Sequence, residues 1–178
     1  MENRKYAKYV NKLVDSLSVN RDPKKFPVWG KVTVPMIFNR SHLEGMPIHI
    51  EHLLIHEAGG GWGLNHPCEG VLGGKEFKDL PLIFDIDEIY TFTSTDPKNP
   101  HDLGGEIELW IGEGKNAEKY SITESTCVYI PAGLPHMPIY FKRVDRTIIM
   151  TVVLVGPLWA CRFAKEFPSD CNYIYKGK

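Results

Sequence analysis

The chain has 178 residues, 43% of them hydrophobic and 24% charged, with a formal net charge of -1. That length fits one domain with an appendage, and the balance is that of a chain with a real core. A near-neutral charge excludes an electrostatic case for nucleic acid or an anionic membrane, and no run approaches the ~20 apolar residues of a membrane span.

The first element in chain order is a predicted helix. Tyr6, Tyr9, Val10, Leu13, Val14 and Leu17 recur at helical spacing, and Arg21-Asp22-Pro23 stops the pattern. Residues 1–25 are therefore expected to form an N-terminal helical segment. The opening MENRKYAKYV is charged and has no apolar signal core, so a cytoplasmic location is expected. Cys68, Cys127, Cys161 and Cys171 stand far apart, with no CxxC pair, and are expected to be reduced. Cys127 sits in the apolar run CVYI and reads as a small buried hydrophobe.

From about residue 30 the pattern changes to strands. KVTVPMIF is rich in β-formers. PIHIEHLLIHE alternates, with Ile48, Ile50, His52, Leu54 and His56 on one side and His49, Glu51, Leu53 and Ile55 on the other. DEIYTFTS, EKYSIT, TCVYIP and RTIIMTVVLV are further strand candidates. EIELWIGE alternates Ile107, Leu109 and Ile111 against Glu106, Glu108 and Trp110. Turn signals separate the runs, among them Asn99-Pro100, Gly104-Gly105 and Pro131-Ala132-Gly133. Many short strands without alternating helices argue for an all-β sandwich or barrel over residues 26–157. LWACRFAKEF reads as a short helix within a C-terminal appendage, residues 158–178.

Two stretches carry chemistry. In PAGLPHMPIY, Pro131 and Gly133 shape a tight turn that delivers His136 onto the next strand, with Pro138 and Tyr140 expected on the same face. In GGGWGLNHPCEG, Gly60 is followed by five residues and then His66, with Cys68 two further on. Alone, a histidine in a glycine-rich loop reads as solvated or bonded to backbone.

The first stretch resembles the second motif of the cupin superfamily, G(X)5PXG(X)2H(X)3N. Pro131, Gly133 and His136 match in spacing, Ser125 stands for the first Gly and Tyr140 for the Asn. The second resembles the start of the first motif, G(X)5HXH(X)3,4E(X)6G, with Cys68 where the second histidine would be and Glu88 in DEIYTF as the glutamate after an inserted loop. A competing register puts the insertion earlier, so that Leu82 and Phe84 occupy the two histidine positions and Glu88 keeps its normal spacing.

The resemblance implies a double-stranded β-helix, the jelly-roll barrel of cupins, commonly dimeric. It implies a metal site of His66, Cys68, Glu88 and His136, with Fe, Mn, Ni, Co or Zn as the divalent ion. Cys68 is a thiolate ligand, a residue behind the ligands, or a packing residue on this reading. Glu88 or Tyr140 would then move a proton in a metal-dependent dioxygenase, isomerase or lyase acting on a small, oxygen-rich or acidic molecule. The competing register instead implies a metal-free, ligand-binding barrel, a sensor, carrier or storage module, with Trp62, Phe84, Tyr90, Phe92 and Tyr140 as pocket aromatics. Under either reading the expected partner is a small molecule, with a second copy of the chain in a homodimer. His42 and His101 read as structural or exposed, and His52 and His56 as partly solvated.

Overall fold

The computed structural model describes residues 9–15, 31–33, 35–62, 68–69, 76–77, 81–156, 158, 160–166 and 168–169. The strands in its first half are β1 (Val14–Asp15), β2 (Met36–Phe38), β3 (His49–Ile55), β4 (Gly61–Trp62), β5 (Cys68–Glu69), β6 (Glu76–Phe77) and β7 (Leu82–Phe84). They continue as β8 (Asp87–Thr93), β9 (Asp102–Ile111), β10 (Glu118–Glu124), β11 (Thr126–Ile130), β12 (His136–Val144), β13 (Ile148–Val155) and β14 (Cys161–Phe163).

These strands form two main antiparallel sheets. One has the order β1-β2-β3-β13-β8-β11. The other has the order β10-β9-β12-β7-β14, with β4 also paired to β12. β5 and β6 pair separately. From β7 to β14 the chain changes sheet at every step except β9 to β10, so it crosses between the layers repeatedly, as a jelly roll requires.

Alternation decides what each layer buries. In the first sheet Leu53, Met150 and Phe92 share one rung of the ladder and are all buried, Phe92 at 0% exposure. The facing sheet contributes Ile107, Leu109, Ile139 and Phe141, all fully buried. Burying each such side chain contributes about 1.5–3 kcal/mol. Toward one end of the barrel the rungs change character. Glu51, Val152 and Tyr90 make the next inward rung, and His49, Leu154 and Glu88 the one after. The core therefore passes from purely apolar to acidic along the strand direction.

The glycine run before His66 has a steric reason. Gly59 donates to the Phe141 carbonyl, Phe141 donates to that of Gly60, and Gly61–Trp62 pairs with Ile139 and Tyr140. A Cβ on Gly61 would lie 1.9 Å from the Ile139 carbonyl oxygen, so only glycine lets β4 approach β12 this closely.

The two terminal helices are not found among the described residues. Val14–Asp15 is a strand on Met36–Ile37, with Val10 81% exposed, and Cys161–Phe163 is a strand on β7. In both places the edge of a sheet offers unpaired backbone groups, and pairing with them overrides helical periodicity. Cys127 is exposed rather than buried, because Thr126, Val128 and Ile130 take the inward positions of β11. His52 lies on the outer face, 3.1 Å from the Thr151 hydroxyl, and His56 and His101 are exposed. No helix among the described residues is long and apolar enough to cross a membrane. β13 is paired on both edges, by β3 and β8.

Candidate functional site

The acidic end of the barrel holds three polar groups in mutual contact. Glu88 and Tyr90 stand two residues apart on β8, so alternation points both inward. His136 opens β12 opposite Leu82, where the Pro131–Gly133 turn delivers it. Glu88 is 1% exposed, Tyr90 2% and His136 0%. The Tyr90 hydroxyl lies 2.5 Å from Glu88 Oε2 and 2.8 Å from His136 Nε2, and Glu88 Oε2 lies 3.1 Å from the same nitrogen.

Donor counting defines the protons. His136 Nδ1 lies 3.1 Å from the Leu134 carbonyl oxygen, which only accepts, so Nδ1 carries a hydrogen. The tyrosine hydroxyl has one proton for its two contacts. That proton is donated to Glu88 Oε2. The triangle brings three buried polar atoms within hydrogen-bonding distance of one another. One atom is left over. Glu88 Oε1 is buried and has no hydrogen-bond partner among the described residues.

Burial, then the charge of Glu88 and the hydrogen bond to it, and then the charge of Glu51 push the Tyr90 hydroxyl well above the ordinary tyrosine range. Tyr90 therefore contributes stability that is full below its unfolded value, about 10. That contribution is lost as the pH rises toward the higher folded value. Urea unfolding of wild-type protein and Tyr90→Phe at pH 8 and pH 10.5 checks this. The wild type should lose more stability between the two pH values than the variant. Equal losses would show that Tyr90 is not held neutral by its surroundings.

A cavity of about 280 Å³ opens beside this network. Trp62, Leu82, Phe84, Met137, Met150 and Val152 give it an apolar wall, and Glu51, Glu88 and Tyr90 are its polar members. Phe84 stacks on the His136 ring at 5.8 Å between centroids, and Trp62 meets Phe141 edge-on at 5.3 Å. Glu51 Oε1 lies 3.0 Å from His49 Nε2.

The expected site residues separate here. Glu88 and His136 come together as anticipated. His66 lies outside the described residues, and Cys68 is described only as part of β5. Tyr140 leaves the site. Between His136 and Ile139 strand β12 advances three residues against two on β9, since His136 faces Ile111 and Ile139 faces Leu109. This bulge, with Met137 at φ 89°, reverses the alternation, so Ile139 and Phe141 take the inward positions and Tyr140 the outward one. The role of Tyr90 in the network and that of Glu51 in the wall were not anticipated. The signal was present, since an inward Glu88 on a period-two strand makes Tyr90 its neighbour.

The described residues do not by themselves make up a site for the divalent ion, and His66 and the Cys68 side chain lie outside them. Ligands converge free lone pairs on one point and must be deprotonated to do so. Here the lone pairs of Glu88 Oε2, Tyr90 and His136 are engaged with one another. Leu82 and Phe84, which flank His136, offer only carbon. Among the described residues no three His, Cys, Asp or Glu side chains gather as a metal site needs.

Solved structures with this arrangement of strands place the chain. An oxalate oxidase in complex with the substrate analogue glycolate superposes with a TM-score of 0.52 at 12% identity, covering 92% of this chain and 67% of that one. Peruvianin-I, a cysteine peptidase from Thevetia peruviana latex, superposes at 0.51 and 9% identity, covering 91% and 80% respectively. Both are cupin-superfamily structures. The chain has a cupin-type fold. No protein-family model matches the chain, and no curated protein matches it in sequence. At such low identity the cupin likeness carries the fold alone, and function rests on the side chains just described.

Proposed function

We propose that this cupin barrel is a metal-free binding module for a small, largely apolar molecule, held at the end of the barrel that contains Glu88. The observation that supports it is the cavity of about 280 Å³, walled mostly by apolar side chains with a few buried polar groups at one side. That is the composition of small-molecule sites, at a volume just under their usual ~300–1,000 Å³. The competing register also supports it, because Leu82 and Phe84 stand around His136 where that register places them. An oxygen-rich or acidic ligand is disfavoured, since the charged wall residues of the cavity are the two carboxylates Glu51 and Glu88.

A metal-dependent enzyme is the second reading. Glu88 Oε1, without a partner among the described residues, favours it, since a buried acceptor of this kind calls for a cation or a donor. Elemental analysis of the purified protein separates the two readings. Stoichiometric Fe, Mn, Ni, Co or Zn that depends on His136 would sink the metal-free proposal.

Ligand binding is tested by a thermal-shift and tryptophan-fluorescence screen of small aromatic and aliphatic molecules. The control is Val152→Phe, which fills the cavity from its wall. A ligand at about 100 times its Kd should stabilise the wild type by about 2.7 kcal/mol. The control should show no such gain. A screen in which nothing binds, or in which the variant binds equally well, would refute the chamber.

A further inference from the structure

We infer that the chamber takes an organic ammonium ion, an amine with a small apolar body, and not a neutral or acidic molecule. The inference rests on the binding reading above and adds the charge class of the ligand.

Three observations carry it. Glu88 lines the cavity, is 1% exposed and keeps one carboxyl oxygen without a partner among the described residues. A buried acceptor left unmatched is costly, and an N–H donor from a ligand removes that cost. Glu51 is the second acid of the wall. It faces Val152 on β13, and Val152 faces Tyr90 on β8, so Glu51 and Tyr90 share a rung about 10 Å apart at normal strand spacing. The Tyr90 hydroxyl touches Glu88 at 2.5 Å and shares its rung with Glu51, so both carboxyl groups border the same stretch of wall.

No lysine or arginine is among the described residues that line the cavity. His49 engages Glu51, and His136 is saturated by Leu134, Glu88 and Tyr90. Among the described lining residues the chamber therefore presents the Glu88 Oε1 acceptor and no lysine or arginine. The rest of the wall is aromatic and aliphatic. Trp62, Phe84 and Tyr90 add ring faces of the kind that attract cations, and Met150 and Leu154 suit an apolar body. An anion would meet two carboxylates, and a neutral alcohol would gain the hydrogen bond without its charge assistance.

The test uses three probes with the same phenylethyl body on the full chain, with Kd read from tryptophan fluorescence and calorimetry at pH 7. They are 2-phenylethylamine, 2-phenylethanol and 3-phenylpropionate. The amine should bind about tenfold or more tighter than the alcohol, and the acid weaker than either. Glu51→Gln should reduce the preference for the amine over the alcohol, and Glu88→Gln should abolish it. If Glu88→Gln fails to fold, Glu51→Gln and the wild-type series still decide.

An alcohol or acid that binds wild type as well as the amine overturns the charge assignment while the chamber stands. A preference unchanged in Glu51→Gln and Glu88→Gln does the same. If none of the three probes binds, the ammonium inference falls, and the broader screen with Val152→Phe decides the chamber separately. Stoichiometric binding of zinc or manganese chloride that displaces the amine and requires Glu88 assigns the site to a metal ion and also overturns the inference.

Discussion

Replacing His136 with alanine is expected to cost roughly 3–5 kcal/mol of folding stability. His136 is fully buried and is one of two partners that satisfy Glu88 Oε2, at 3.1 Å. Its removal leaves a carboxyl group at 1% exposure with one oxygen held only by Tyr90 and the other held by nothing among the described residues. The Leu134 carbonyl loses its side-chain donor as well. The Phe84 ring loses its stacking partner. For a chain of this size the midpoint of thermal unfolding should fall by roughly 6–20 °C. The double variant Glu88→Leu/His136→Leu is the informative control. Swapping both buried partners for apolar side chains of similar size is often neutral or stabilising, so it should recover much of the loss. A single variant that loses under about 1 kcal/mol would show that His136 is not what supports Glu88.

Phe141→Ala should be comparably severe, at about 3–5 kcal/mol. Phe141 is fully buried on β12, and its backbone is bonded on both sides of the Gly59–Gly60 approach. Its ring is the edge-on partner of Trp62 at 5.3 Å. Truncation opens a cavity between the sheets that close packing cannot easily refill. Because Trp62 also lines the binding chamber, the damage should reach the ligand site. Urea unfolding measures the first effect through the midpoint, and Trp62-dependent fluorescence the second. A loss below about 1 kcal/mol, with unchanged fluorescence, would mean that the core collapses around the gap and that the two regions are independent.

The strands were legible because alternation is local. Ile107, Leu109 and Ile111 read as one face from spacing alone, and that face meets the core, with Ile107 and Leu109 fully buried and Ile111 packed against them. Leu53 and Ile55 likewise read as one face of β3, and the structure turns that face inward. His136 and Glu88 were legible for a related reason. The Pro131–Gly133 turn determines where the next strand begins, and a glutamate on a period-two strand has only two faces to choose between. The terminal segments misled for the converse reason. Their helical spacing is weak local information, and sheet edges offered by distant residues overrule it at Val14–Asp15 and Cys161–Phe163.

Tyr140 marks the limit of counting. Its position relative to His136 was inferred by stepping two residues at a time, and one extra residue around Met137 reverses the steps that follow as far as Phe141. Nothing local in PAGLPHMPIY reports a bulge that is defined only against β9.

Period-two alternation and turn residues, short-range properties of the chain, dictated a two-layer barrel and the inward placement of Glu88 and His136. Tertiary pairing alone chose what surrounds them. It put Tyr90 within 2.8 Å of His136 and Leu82 opposite it, and it ranged Glu51 across the cavity. Those neighbours come from strands far apart in the chain, and their register is decided by which packing buries the most apolar surface with every buried polar atom matched.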